Sequence, residues 1–181
     1  MRNYDWPNEF YNLYHQATEL YHKGKRQPRE LLTPEAAKSL ASIGCTPQEL
    51  FDFVEDECTD GEPTYGTVLL ITAVRRDYFL TVQQGQSSGD LISMQSLPAK
   101  DAQLAGLRWL PRLIAKAQAK LRGQMPAELM YGCGGDRAFL ASVDVHPADF
   151  LRLVWMTDGD DRKILNSVSV AAGTVSKVRD D

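Results

Sequence analysis

Apolar residues recur along much of the chain at the three- and four-residue spacing that places them on one side of an α-helix. One such stripe runs from Phe10 to Gly24, and glycine is a common residue at a helix end. A second stripe starts beside Pro111 and stops at Gly123. The apolar positions of this second stripe are Leu110, Leu113, Ile114, Ala117 and Leu121. The pattern predicts a mainly α protein.

Capping residues predict the starts of two further helices. Thr33-Pro34 has the form of an N-cap followed by proline in the first turn. Thr46-Pro47 repeats that form, and Glu49 stands where it can complete a capping box. The second of these helices is expected to end near residues 60–61, an Asp-Gly pair.

The segment from Tyr65 to Val82 admits two interpretations. Residues 67–74 are rich in β-branched and apolar side chains, so a hairpin over residues 67–83, and with it an α+β fold, is an alternative. The run is long for a strand, and apolar residues recur four apart at Leu70, Val74, Tyr78 and Val82. The periodicity favours a buried helix.

The chain contains an internal similarity at an offset of 100 residues. Residues 39–54 align with residues 139–154, with identical Leu, Ala, Ser, Pro and Val and several apolar exchanges. Both halves then continue with an Asp-Gly-acidic turn and another apolar segment. The shared order predicts a duplicated helical unit. The alternative is two helix hairpins that use the same capping chemistry independently.

The similarity implies a domain organisation. The first repeat is expected over residues 1–83, a linker over 84–99, the second repeat over 100–170 and a polar C-terminal tail over 171–181. If the duplication is real, the two repeats would pack about an approximate two-fold axis and leave a groove between them.

Composition narrows the class of protein. The 181 residues are 43% hydrophobic and 24% charged, with a net charge of −4, which is typical of a globular protein and not of a nucleic-acid binder. The start of the chain lacks the apolar core of a secretory signal, and no apolar run approaches the roughly 20 residues that span a bilayer. Three scattered cysteines suit reduced thiols. We therefore expect a cytoplasmic protein without membrane or nucleic-acid partners.

The sequence predicts neither a metal site nor a cofactor. His15 and His22 are seven residues apart on one helix, but no third ligand follows at a metal-binding spacing. The glycine-rich stretch at residues 131–136 lacks the lysine-serine pair of a phosphate-binding P-loop.

The candidate ligand-binding residues lie between positions 112 and 137. Arg112, Lys116 and Lys120 form a row four residues apart, which is either a solvated face or the rim of an anion-binding site. The glycine stretch is either a turn, with Asp136 capping the next helix, or an anion pocket. The predicted pocket residues are Arg112, Lys116, Tyr131, Gly134, Asp136 and Arg137. No catalytic residue is predicted; the one weak candidate is Cys133, a thiol beside a helix start.

Residues 98–168 carry a resemblance to a known family. The motif Trp-Leu-Pro-Arg-Leu-Ile from Trp109, the glycine stretch from Tyr131 and the closing helix after the acidic turn occur in one order. In that order they resemble the domain-of-unknown-function family number 5069. The resemblance implies a small, mainly helical bacterial domain without a known activity.

Three function classes remain open from the sequence. The favoured one is a non-enzymatic helical module that binds a partner protein or a small anionic ligand in the groove between its repeats. An enzyme acting on a small anionic substrate at the loop of residues 131–137 is the first alternative. A structural or oligomerising protein without a ligand is the second, and a homodimer is left open.

Overall fold

A computed structural model describes the backbone of residues 1–179 and the side chains of residues 1–169, 171 and 173. The chain divides into two compact units, Met1–Ser87 and Ser88–Asp181. The boundary falls inside the segment that the sequence predicts as a linker. Nine α-helices, one short 3-10 helix and one two-stranded ribbon make up the regular structure within residues 1–179. The protein is therefore mainly helical, as the apolar pattern predicts.

Unit 1 is built from five helices. They are α1 (Trp6–His22), α2 (Pro28–Leu31), α3 (Pro34–Ala41), α4 (Pro47–Asp60) and α5 (Tyr65–Thr81). Helix α1 packs against α4, and buried aromatic side chains of α1 contribute to the core. The hydroxyl of Tyr14 donates a hydrogen bond to the carbonyl oxygen of Phe53 across this contact, at 3.3 Å.

The predicted helix start at Thr46 is confirmed in detail. The Thr46 hydroxyl accepts a hydrogen bond from the Glu49 backbone N–H at 3.1 Å, and Glu49 Oε2 accepts one from the Thr46 N–H at 2.8 Å. This reciprocal pair satisfies two N–H groups that the helix itself leaves unpaired. Gly61 adopts a left-handed conformation and ends the helix where the sequence predicts.

Helix α5 excludes the hairpin considered for residues 67–83. Thr64 caps its first turn, with its hydroxyl accepting from the Thr67 N–H at 3.4 Å. The buried face of α5 differs from the predicted stripe, however, because Leu70 and Val82 are about half exposed. The buried positions of α5 are Val68, Ile71, Thr72, Val74, Arg75 and Phe79. The true face includes two polar residues, which conceals it from a purely hydrophobic pattern.

Unit 2 begins with short elements and continues with four helices. A 3-10 helix (Met94–Ser96) precedes an antiparallel ribbon of β1 (Gln103–Leu104) and β2 (Leu107–Arg108), which the sequence does not predict. The helices are α6 (Leu110–Arg122), α7 (Gly134–Ser142), α8 (Pro147–Met156) and α9 (Asp161–Arg179). Helix α9 covers residues 171–179 of the predicted polar tail, and residues 180–181 lie outside the described part.

The core of unit 2 forms where α6 packs against α8 and β1. The predicted stripe of α6 is buried as expected, and Gly123 ends the helix in a left-handed conformation. Phe150, Leu151 and Val154 of α8 are each at most 1% exposed. None of the helices in the described part of the chain has the length and apolar character needed to cross a membrane.

Candidate functional site

Helix α6 carries two lysines on its buried side. Lys116 and Lys120 are each 2% exposed as whole residues, so the cation row is not the solvated face considered from the sequence. An isolated buried ammonium is costly, and Lys116 is compensated by Asp136, whose Oδ2 lies 2.6 Å from its Nζ. Arg112, the first residue of the row, does not contact Asp136. Its Nη1 donates a hydrogen bond to the carbonyl oxygen of Pro98 at 2.8 Å.

Asp136 is the centre of the site, with a side chain that is 0% exposed. Besides the Lys116 ammonium, its carboxylate accepts hydrogen bonds from Trp109 Nε1 and from the Gly132 backbone N–H, each at 2.9 Å. The alternative in which Asp136 caps helix α7 is wrong: the N-cap is Cys133, and Asp136 holds the preceding loop instead. One carboxylate thus ties three parts of unit 2 together.

Trp109 stands at the entry to α6 and contacts the start of α7. Its backbone is left-handed, with φ of 75°, and its N–H donates to the Ala102 carbonyl oxygen at 3.1 Å. A Cβ atom added to Gly135 would lie 2.7 Å from Cζ2 of the Trp109 ring. Glycine at position 135 therefore allows the indole to approach the helix closely enough to bond Asp136.

Cys133 lies between the buried ion pair and the first turn of α7. Its Sγ atom is 3.2 Å from the Nζ atom of Lys116, which donates to it, and the residue is partly exposed. As the N-cap of α7, Cys133 makes no side-chain hydrogen bond to the helix. The thiol is thus oriented toward the lysine and leaves the helix start without a side-chain cap.

Two more predicted residues hold the loop in place. Arg137 Nη1 donates to the Gly132 carbonyl oxygen at 2.8 Å, and the Tyr131 hydroxyl donates to the Pro147 carbonyl oxygen at 2.7 Å. Burial raises the pKa of Tyr131 well above its ordinary value, and the charge of Asp136 raises it further. The phenol therefore stays protonated and acts as a donor that joins the loop to the start of α8.

Five of the predicted residues thus come together with Cys133 around the loop and the α7 start. They are Lys116, Tyr131, Gly134, Asp136 and Arg137. Arg112 binds elsewhere. Sequence reasoning missed Trp109 as a partner of Asp136; the only signal for it was a tryptophan directly before the proline-started helix. Within the described residues, no three His, Cys, Asp or Glu side chains form a group that could hold a metal ion.

Comparison with known proteins identifies the second unit. The family model for Domain of unknown function (DUF5069) matches residues 95–178, nearly all of which lie on the elements just described. Unit 2 carries a DUF5069 domain. The resemblance found in the sequence is thereby confirmed. No curated protein and no solved structure matches the chain.

The DUF5069 domain and unit 1 share details that extend the internal similarity. At the offset of 100 residues, the turn before the proline-started helix has a left-handed residue in both units, Gly44 and Asp144. The corresponding core positions are also buried in both, namely Leu40 and Leu140, Leu50 and Phe150, and Val54 and Val154. The family model matches only the DUF5069 domain, so a common origin of the two units stays a prediction.

Proposed function

We propose that the DUF5069 domain is a non-enzymatic binding module that takes up a small anionic ligand at the N-terminus of helix α7. The observation that carries the proposal is the start of this helix, where Cys133 provides no side-chain cap. The first N–H groups of an α-helix have no acceptor within the helix, and they coincide with its partial positive charge. A phosphate or carboxylate group matches both properties.

The surroundings of the helix start support such a ligand. Gly134 and Gly135 are exposed and have no side chain that would cover the backbone N–H groups. A Cβ atom at Gly134 would lie 3.8 Å from Nη2 of Arg137, so a guanidinium group stands beside the helix start. An anion there could accept hydrogen bonds from the backbone while Arg137 attracts it electrostatically.

The charge balance also favours an anion. Asp136 lies in the first turn of α7 and would repel a negative ligand if its charge were uncompensated. The ammonium of Lys116 at 2.6 Å neutralises that charge inside the domain, where both side chains are buried. The partial positive charge of the helix N-terminus is therefore not cancelled by Asp136.

The test compares thermal unfolding of the full chain in phosphate and in chloride at equal ionic strength. Gly134→Asp should raise the melting temperature without ligand, because an acidic residue is favourable in the first turn, and should abolish the further rise with phosphate. Gly134→Asn is the neutral control and should keep most of the phosphate effect. Arg137→Gln should reduce the phosphate-dependent rise, whereas Arg152→Gln on the surface of α8 should not.

Two results would contradict this binding site. One is equal stabilisation by phosphate and chloride. The other is a phosphate effect that survives Gly134→Asp at full size, since a carboxylate at the helix start must repel an anion bound there.

A second candidate function, thiol chemistry at Cys133, is favoured by its contact with Lys116. An ammonium 3.2 Å from a sulfur at a helix start is the setting in which enzymes use cysteine as a nucleophile. Iodoacetamide labelling mapped by mass spectrometry should then modify Cys133 faster than Cys58, and Lys116→Met should slow it. Thiol chemistry would be contradicted if Cys133 were labelled no faster than Cys58, or if Lys116→Met left the labelling rate unchanged.

We further propose that the protein works in the bacterial cytoplasm. None of Cys45, Cys58 and Cys133 forms a disulfide, which supports a reducing compartment. The assignment to bacteria rests on the family resemblance. Immunodetection after fractionation of the source cells tests the compartment, and recovery of the protein from a secreted or membrane fraction would contradict it.

A further inference from the structure

Helix α5 of unit 1 buries an arginine and a threonine on one face. Arg75 and Thr72 are each 1% exposed and stand three residues apart, which places their side chains next to each other on the helix surface. Their neighbours on this face, Val68, Ile71 and Val74, are ordinary core residues. A charged and a polar side chain in such surroundings require partners.

The structure supplies only part of what Arg75 requires. Its Nη1 donates to Gln83 Oε1 at 2.7 Å, and its guanidinium carbon lies 5.3 Å from the centre of the Phe79 ring. Its Nε has no hydrogen-bond partner among the described residues, although the atom is buried. Burial lowers the pKa of Arg75, whereas the charges of Glu49, Cys45 and Tyr78 act in the opposite direction. The Nε–H of this buried guanidinium is thus left without an acceptor in the described part of the chain.

Thr72 has the same deficit. Its Oγ1 is buried and without a hydrogen-bond partner in the part of the chain that the structure describes. Valine has nearly the same shape and no hydroxyl to satisfy, so a core position gains nothing from threonine unless the hydroxyl binds something. Two unpaired polar atoms on adjacent side chains indicate a shared occupant.

We propose that Arg75 and Thr72 form a buried binding site for a small monocarboxylate. The Nε–H and the adjacent Nη2–H of an arginine form a fork that fits the two oxygens of a carboxylate, and in Arg75 it is the Nε side that lacks a partner. The Thr72 hydroxyl can donate to one of the same oxygens.

Geometry and charge decide between ligand classes. A carboxylate offers two oxygens to the guanidinium fork and the Thr72 hydroxyl and brings one negative charge, whereas a water molecule offers a single oxygen and a phosphate dianion brings two charges into a buried site. The site lies on a different unit from the α7 site and uses different residues, so it is independent of the function proposed above.

The test measures formate and acetate binding to the full chain by isothermal titration, with chloride at equal ionic strength as reference. The protein carries Gly134→Asp, so that helix α7 does not contribute. Thr72→Val should weaken binding about tenfold, the loss expected for one hydrogen bond to a charged group. Thr72→Ser keeps the hydroxyl and should bind formate and acetate with the parent's affinity.

Thr81→Val makes the same chemical change at an exposed position of α5 and should leave the affinity unchanged. Affinity that is equal in Thr72→Val and the parent, or heat of binding that is the same with chloride, would overturn the proposal. Tighter binding of inorganic phosphate than of formate, lost in Thr72→Val, would overturn the choice of a carboxylate.

Discussion

Lys116 Nζ lies 2.6 Å from Asp136 Oδ2, and the two side chains are 3% and 0% exposed. Each charge is tolerated in the core because the other is there. Removal of either one leaves an uncompensated buried charge, which lowers the stability of the fold strongly. Replacement of both by apolar residues of similar volume would change the stability much less.

Lys116→Met is therefore expected to lower the free energy of unfolding by about 3–5 kcal/mol, since Asp136 keeps its other two donors but loses its counter-charge. Urea denaturation at neutral pH measures the change. The matched control is Arg152→Met, which breaks the Arg152–Asp149 pair, also at 2.6 Å but 49% and 65% exposed. That surface pair should contribute at most about 1 kcal/mol. Equal losses in the two variants would show that burial does not govern the Lys116 pair.

Gly44→Ala should destabilise unit 1. Gly44 has a φ of +71°, and an added Cβ would lie 2.7 Å from Cγ of Phe79. The left-handed backbone and the overlap together should cost about 2 kcal/mol or more. Gly66→Ala in the first turn of α5 is the control, because the nearest atom to its Cβ is Thr64 Oγ1 at 3.8 Å. It should gain up to about 1 kcal/mol. The two changes should thus shift the urea midpoint in opposite directions. A shift in the same direction for both variants would contradict the steric explanation for glycine at position 44.

The start of helix α9 should confer a pH dependence through Asp160. Its Oδ1 accepts hydrogen bonds from the backbone N–H groups of Lys163 at 3.1 Å and Arg162 at 3.0 Å, which lower its pKa. The stabilisation is present above the pKa of an unfolded aspartate, about 3.9, and is lost as the pH falls through the lower folded-state value. Asp160→Asn should therefore be less stable than the parent at pH 6 and lose this disadvantage toward pH 2.

The Tyr131 hydroxyl should stabilise the fold at neutral pH and less so at alkaline pH. Tyr131→Phe removes the 2.7 Å hydrogen bond to Pro147 and should cost about 1 kcal/mol near pH 7. Because the pKa is raised in the folded state, the contribution is complete below the unfolded value of about 10 and declines as the pH rises past it. The gap between Tyr131→Phe and the parent should narrow at pH 11. Tyr4→Phe, at a residue that is 94% exposed, should leave the stability near pH 7 unchanged.

Local signals in the sequence were sufficient for much of the fold. The capping box of Thr46 and Glu49 and the glycine ends at Gly61 and Gly123 depend on residues within four positions of each other, and all are as predicted. The two strands of the ribbon have two residues each, too few for a period to appear.

The candidate site depends on contacts that are distant in sequence. Lys116 reads as a surface cation until Asp136, 20 positions later, is known to lie beside it. Trp109 reaches Asp136 only because its backbone is left-handed and Gly135 has no side chain. The buried face of α5 is also hidden from the sequence pattern, because Thr72 and Arg75 on that face are polar residues.

The boundaries of the second unit have an evolutionary consequence. The family match starts at residue 95, just after the unit begins at Ser88, and the hydrogen bonds that support Asp136 all arise between residues 109 and 136. A gene rearrangement whose breakpoint falls in the codons for residues 88–94 would transplant these contacts of Asp136 without cutting any of them. The Lys116–Asp136 pair would therefore be inherited together, each charge with its counter-charge.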